Sequence, residues 1–364
     1  MGAILSSCGV DKPLLPEGRN TLALVALDTS GVYGEGQRAV SGAKVEISSP
    51  TFIYRKEAVT DADGRLVIEN MPSGEYRIQV SLRDTEHNVL LMGQNQRKLE
   101  TASAATDTVF MSFISISPIV INELYYCGCN ASSFYFFDQF VELYNSTSDT
   151  LYLDGYFMCR STQVEGIIDF DNEDYSLGYY VYAFPGVRGV TRQCPIMPHG
   201  FLVLAGDAIN HRLYGSLCVD LSNADWEFLN AAANDYDNLA VPNLLPISNQ
   251  GNDFSFNLAH CALWLSTGEE YAFATHCYMS GSSQICSEYM HIPNRTIVDA
   301  VEYSANPASP RYMSIHLDAG PGGEGVTRYS GVSIERKVPG LDSNNSAFDF
   351  EKTYPPTPGY SHSR

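Results

Sequence analysis

Between His260 and His291 the chain places His260-Cys261, His276-Cys277, Cys286 and His291. Imidazole and thiolate are the ligands that zinc and copper prefer, so metal chemistry would first be sought here. The spacing matches no standard zinc finger. Adjacent residues on a strand point to opposite faces, so the His and Cys of one pair cannot easily share an ion. An oxidising compartment would also convert the thiols to disulfides. The expectation is therefore disulfides with incidental histidines, no metal and no cofactor.

Cys127-Gly128-Cys129 is a second pair with redox or soft-metal potential. The two thiols are too close for a relaxed mutual bridge, so each is expected to find another partner, Cys159 being one candidate. A redox enzyme would also want a thioredoxin-like βαβ setting, which the pattern lacks. Gly-x-Ser-x-Gly, His-Glu-x-x-His and Walker-type loops are absent. Gly320-Pro321-Gly322-Gly323-Glu324-Gly325 lacks the strand-then-helix setting that aims amides at a phosphate, and is expected to be a flexible loop. No catalytic residue is assigned, and the chain is expected not to be an enzyme.

Aromatic residues cluster in Phe134-Tyr135-Phe136-Phe137 and in Tyr179-Tyr180-Val181-Tyr182-x-Phe184. On strands about half of each set would face a core. The remainder would suit a binding surface, which makes Phe134, Tyr135, Phe136, Tyr179, Tyr180, Tyr182 and Trp226 the candidate ligand-binding residues. Tyr214 and Tyr236 lie in the same stretch, 206–250, as Trp226.

The elements that must position these groups read as strands. Leu22 to Leu27, Ala43 to Ile47, Arg65 to Glu69 and Tyr76 to Val80 are short β-like runs, separated by Asp61-Ala62-Asp63-Gly64 and Pro72-Ser73-Gly74 turns. Asp and Gly suffice to make the first of these a turn rather than a calcium loop. Ile119 to Tyr125, Gln139 to Asn145 and Leu151 to Tyr156 continue the pattern, with Asn145 and Asp149 supplying a turn. Asn122 and Glu123 are expected to bond neighbouring backbone, and Arg336 to form an ion pair with Asp349. Ser222-Asn223-Ala224-Asp225 followed by Trp226 to Ala233 reads as a short capped helix.

At 364 residues with 44% hydrophobic content, the chain has room for about two domains. It is acidic, with 42 acidic against 22 basic residues and a formal charge of −20, which repels phosphate backbones and argues against nucleic-acid partners. No run reaches the roughly 18 apolar residues of a membrane span. Leu5-Ser6-Ser7-Cys8 instead reads as a lipoprotein cleavage box, an aliphatic residue and two small ones before the cysteine that takes the lipid. Residues 1–7 would be residual signal, Cys8 the lipidation site and 8–19 a tether. Setting Cys8 aside leaves eight of the nine cysteines: Cys127, Cys129, Cys159, Cys194, Cys218, Cys261, Cys277 and Cys286. In an oxidising compartment these are candidates for up to four disulfides of open connectivity.

Two resemblances organise the whole. Gly42-Ala43-x-Val45-x-Ile47, Ala58-Val59-Thr60-Asp61-x-Asp63-Gly64 and Pro72-x-Gly74-x-Tyr76 resemble the carboxypeptidase-regulatory-like, prealbumin-type sandwich over residues 20–113. Ile119 to Tyr125, Gln139 to Asn145, Leu151 to Tyr156, Ile297 to Tyr303, Ser333 to Lys337, Asp342 to Asn345 with Asp349-Phe350, and Pro358-Gly359 resemble the lamin-tail domain, an immunoglobulin-like sandwich. That second unit would span 118–364, with insertions at about 160–195 and 206–295. The fold class expected is all-β, two β-sandwich domains. The combination resembles an uncharacterised family of Bacteroidota lipoproteins, often encoded near TonB-dependent outer-membrane transporters. The resemblance implies a non-enzymatic lipoprotein of the outer membrane, on its surface or periplasmic face. It would bind a ligand or a partner transporter, in nutrient or iron uptake. The alternative is a structural or adhesive surface protein without a small ligand.

Overall fold

The computed structural model describes residues 18–29, 36–49, 52–84, 89–114, 117–130, 137–162, 174–229, 236–248, 254–314 and 316–362. The chain is all-β and divides into two compact units, Met1–Ser115 and Ile116–Arg364. Cys8 and its cleavage box lie outside the described residues, as do Phe134, Tyr135 and Phe136.

In the first unit, alternation sets the fold. Asn20–Asp28 buries every second residue, so one face of the strand is core. It pairs parallel with Ala104–Ile114 and antiparallel with Arg65–Met71, and is therefore held on both sides. The order continues from Ala104–Ile114 through Val89–Leu99, Gly74–Asp84 and Lys44–Ser48 to Arg55–Val59. Leu24, Val45, Ile47, Ile78, Val80 and Val109 fill the core between them. Asp61 closes its turn as expected: its Oδ1 accepts the N–H groups of Asp63 and Arg65 at 2.9 and 2.8 Å, and Gly64 takes φ 69°.

The second unit packs two larger sheets face to face. The six-stranded sheet runs Trp226–Glu227, Phe201–Ala205, Phe140–Asn145, Ile119–Tyr125, Ser333–Arg336, Phe350–Thr353. The seven-stranded sheet runs Ala272–Ser280, Ser283–Pro293, Tyr175–Ala183, Phe157–Ser161, His260–Ser266, Ile297–Ser304, with Leu245–Ser248 also on Tyr175–Ala183. Ile121, Val141 and Leu143 from one sheet meet Met158, Leu263 and Val301 from the other in a shared core. Cys159, Val181, Trp264 and Met290 point the opposite way and are covered by Met313. Every residue of Ile119–Tyr125 is buried, so the six-stranded sheet is covered on both faces at that strand.

Two local expectations need correction, and the stretches between the lamin-tail-like blocks prove to be structured. Trp226–Glu227 is a strand parallel to Phe201–Ala205, not the start of a helix; the Asp225 carboxylate accepts the Val203 N–H at 2.8 Å and ties the segment to the sheet. The glycine-rich loop is not loose: the Gly322 carbonyl accepts from Ser304 N–H at 2.8 Å, and its own N–H donates to Glu302 at 2.9 Å. Stretches that read as insertions supply the strands Tyr175–Ala183, His260–Ser266, Ala272–Ser280 and Ser283–Pro293 of the seven-stranded sheet.

Candidate functional site

Among the described aromatic candidates, Tyr180, Tyr182 and Trp226 are buried in the core. Tyr182 stands edge-on to Phe228 and Phe254, and Trp226 edge-on to Phe184. Such contacts explain their burial: each ring hides large apolar area at a strand position that faces the opposite sheet. Tyr179 is half-buried and packs against Tyr180 and Tyr289.

The cysteines divide evenly. Cys129 bonds Cys218 and Cys277 bonds Cys286, with Cα separations of 4.9 and 4.0 Å. Cys127, Cys159, Cys194 and Cys261 are free buried thiols, so two of the up to four bridges form among the described residues. Sheet geometry separates them. Cys159 and Cys261 lie on neighbouring strands but face opposite sides of the sheet, one toward Trp264 and the other into the inter-sheet core. The Cys127 thiol donates to the Val332 carbonyl at 3.2 Å, and Cys194 to that of Pro185 at 3.3 Å. Burial pushes the Cys159 thiol well up and that of Cys194 up to about 12, so both stay protonated and inert.

The histidine–cysteine run is likewise dispersed. The His260 Nε2 lies 2.9 Å from Glu302 Oε1, its ring stacked on Tyr312, while Arg311 Nε donates to Glu302 Oε2 at 2.8 Å. His276 and His291 remain together on another pair of strands. Among the described residues, ligand atoms of Cys129, Asp138 and Cys218 lie within 4.8 Å of one another, but the two sulfurs are bonded to each other.

Two buried polar clusters tie the second unit together. Arg336 donates through Nη2 to both oxygens of Asp299 (3.0 and 2.9 Å), through Nη1 to Asp342 and Asp349, and through Nε to the Ile121 carbonyl. The Arg336–Asp349 pair was expected; Asp299 and Asp342 complete it. On the other face of that strand, Glu142, Glu123 and Glu335 stand directly opposite one another across three strands. The segment 353–362 covers them. Glu123 accepts the Thr357 N–H and hydroxyl, Glu142 the Gly359 N–H and Glu335 the His362 N–H. A register shift at Glu142/Leu143 turns Asn122 toward the same row, where its Nδ2 donates to Glu142 at 2.9 Å. Glu123 thus meets backbone at the Thr357 N–H, as expected, whereas the Asn122 amide donates to a side chain rather than to backbone.

The feature left facing outward is the hairpin Ala272–Ser280 with Ser283–Pro293. It pairs without interruption over nine residue pairs, from Ala272↔His291 to Ser280↔Ser283, with Cys277 directly opposite Cys286. A bridge across a loop this short contributes about 3 kcal/mol in the chain-entropy description, holding the hairpin closed. Phe273, Met279 and Ile285 are exposed upon it. Ala272–Ser280 is the sheet's edge, and it carries no charge and no proline. The other long edge strands do: Arg55–Val59 has Arg55, Lys56 and Glu57, and Ile297–Ser304 has Asp299 and Glu302. The sequence did hold a signal for this hairpin, since Cys277 and Cys286 flank the turn at Gly281 between two β-rich runs.

The model of a family described as a protein of unknown function, DUF4876, matches residues 198–357, a stretch that includes the hairpin. A solved structure of a DUF4876 family protein from Bacteroides thetaiotaomicron is similar at 22% identity, with a TM-score of 0.53. The match covers 91% of this chain and 94% of that one and establishes likeness of fold. A streptococcal ancillary pilin aligns at 10% identity over 65% of this chain and 62% of its own, with a TM-score of 0.21, which carries no argument. Comparison with curated proteins finds no match.

Proposed function

We propose that this chain is a non-enzymatic, lipid-anchored outer-membrane protein that docks a partner protein on the open edge of its clamped hairpin. The observation that carries the reading is the strand Ala272–Ser280, exposed, regular, paired on one side and free of charge and proline. A strand edge presents a row of N–H and C=O groups that template another strand, and proteins normally blunt it with charge, proline or a bulge. An edge left open is suited to completion by an extended segment of another chain, with main-chain hydrogen bonds giving affinity and side chains giving selectivity. Phe273 and Met279 would supply the side-chain contacts.

The occupant we favour is an extended segment of an outer-membrane transporter, the partner class implied by the resemblance of the two units. Anchoring rests on Leu5-Ser6-Ser7-Cys8, and mass spectrometry of the mature N-terminus tests it: an unmodified Cys8 in protein made with its native signal sinks that part. Docking is tested by a photo-crosslinking residue at Met279 in whole cells, with Lys56 on the charged edge as the control site. A crosslink from position 279 to a transporter, absent at position 56, supports the proposal. Crosslinks from 279 only to a second copy or to extracellular matrix would replace it with the adhesive reading.

A further inference from the structure

On one face of the hairpin, His276 and His291 reach toward each other from the two strands until their Nε2 atoms are 2.7 Å apart. They are not directly opposite: His276 pairs with Ser287 and His291 with Ala272. Ala274 lies between them on that face, and its methyl group leaves room for the rings to meet above it. Neighbouring rings fix both orientations. Tyr175 stacks on His291 at 3.9 Å between centroids, and Tyr289 stands edge-on to His276 at 5.8 Å. Both histidines are only partly buried, so solvent reaches the pair.

Without a metal, the contact is an N–H···N hydrogen bond, one Nε2 donating and the other accepting. We propose that the same pair is a binding site for a tetragonal transition-metal dication, copper(II) above all. Two imidazole nitrogens about 2.0–2.1 Å from one ion are about 2.8–3.0 Å apart at a 90° angle and about 3.3–3.4 Å apart at a tetrahedral one. The metal-free spacing of 2.7 Å is shorter than both and needs only a small opening to reach the right-angled bite of a tetragonal site, where imidazole ligands favour copper(II), the tightest-binding divalent ion of the first row. Remaining positions on the ion belong to water or to a partner.

The proton balance is simple. The donor imidazole shifts its proton from Nε2 to Nδ1 through solvent, both Nε2 lone pairs then coordinate the ion, and no electron is transferred. The adjacent Cys277 and Cys286 are already bonded to each other, and the free thiols among the described residues are buried. No exposed thiol in the described structure would reduce the ion. The site rests on this geometry alone and stands whether or not the hairpin edge docks a partner.

The test is titration of the full chain with copper(II) sulfate, followed by electron paramagnetic resonance and calorimetry. The expected result is one tight equivalent with a tetragonal signal split by two nitrogens. His276→Ala and His291→Ala should each weaken binding at least about tenfold, and zinc should bind at least about tenfold more weakly than copper to the parent chain. Circular dichroism of each variant verifies that it remains folded. The double variant retains six of the eight histidines, so unchanged affinity or an unchanged signal in it overturns the site. Zinc binding as tight as copper overturns the tetragonal assignment.

Discussion

Glu335 and Arg336 are neighbours on one strand, face opposite sides of the sheet and are both almost wholly buried, yet their surroundings differ in kind. Arg336 faces three carboxylic acids and places one guanidinium among them. Glu335 stands in a row with Glu123 and Glu142, and the groups that meet this row are backbone N–H groups, hydroxyls, the Asn122 amide and His362. In the first cluster burial pushes Asp299 up to about 7 and raises Asp349, while the Arg336 charge pulls both down. In the second no arginine or lysine pulls: burial lifts Glu123 to about 7, and burial followed by the Glu123 charge lifts Glu142 well above the carboxylate range. The row therefore tolerates neutral carboxyls, whereas the Arg336 cluster depends on an ion.

The sharpest way to test that difference is Arg336→Met. The change keeps much of the side-chain length but leaves Asp299, Asp342 and Asp349 buried around a thioether, with the Ile121 and Leu341 carbonyls losing a donor. Breaking a buried ion pair on one side typically costs about 3–5 kcal/mol, and a loss in that range is expected in the urea midpoint of the second unit. Asp299 comes from the seven-stranded sheet and Arg336 from the six-stranded one, so the penalty falls on the packing of the two sheets. A loss below about 1 kcal/mol would show that the acids are neutral and the guanidinium is dispensable.

A second test is pH. Glu123 has a folded value of about 7 against an ordinary 4.5, so between those values the native state holds a proton that the unfolded chain has released. Stability from this group is therefore full below about 4.5 and declines as pH rises through 7. At about 1.4 kcal/mol per unit, the loss is about 3 kcal/mol for Glu123 alone, and Glu142 adds to it. Urea denaturation at pH 5 and pH 8 measures it, with lower stability expected at pH 8. Surface repulsion from a formal charge of −20 acts in the same direction, but 0.5 M salt screens that contribution and leaves the buried one. Asp299, also raised to about 7, contributes in the same direction, so a slope that disappears in salt would show that neither cluster holds a neutral carboxyl in the folded state.

Much of this was legible in the sequence, for reasons tied to particular residues. Alternation in Val141-x-Leu143 marks a strand with one core face, and the Asp-x-Asp-Gly turn follows from local hydrogen bonding. Asn145 is similarly local: its Nδ2 donates to the Asp149 carbonyl at 2.7 Å. Arg336 with Asp349 was within reach because they lie 13 positions apart, at the facing ends of one connection between paired strands. Asp299 was not, since its place beside Arg336 depends on how two sheets pack. The aromatic run Tyr179-Tyr180-Val181-Tyr182 misled because residues two apart share a face, and that face, with Tyr180 and Tyr182, belongs to the inter-sheet core. His276 and His291 stood out by type, but their meeting was not legible, because diagonal reach across a hairpin needs the register, which spacing along the chain does not supply.

The smallest expected effect separates members within the glutamate row. Glu142 presents both oxygens to N–H donors, Oε1 to the Asn122 amide and Oε2 to the Gly359 N–H at 2.6 Å. Glutamine there must point its amide N–H₂ at one of those donors, so Glu142→Gln should cost about 1–2 kcal/mol at pH 6. Glu123 instead meets the hydroxyls of Ser333 and Thr357 besides the Thr357 N–H. A hydroxyl rotates to accept where it formerly donated, so glutamine at 123 can keep its partners. Glu123→Gln is expected to change stability by less than about 1 kcal/mol at pH 6. It should also remove the part of the pH slope that Glu123 contributes, making the variant more stable than the parent at pH 8. Parallel urea titrations of the two variants at both pH values decide it. Equal losses at both positions would mean that the row needs its charge after all, and that the contrast with the Arg336 cluster lies only in who supplies the hydrogen bonds.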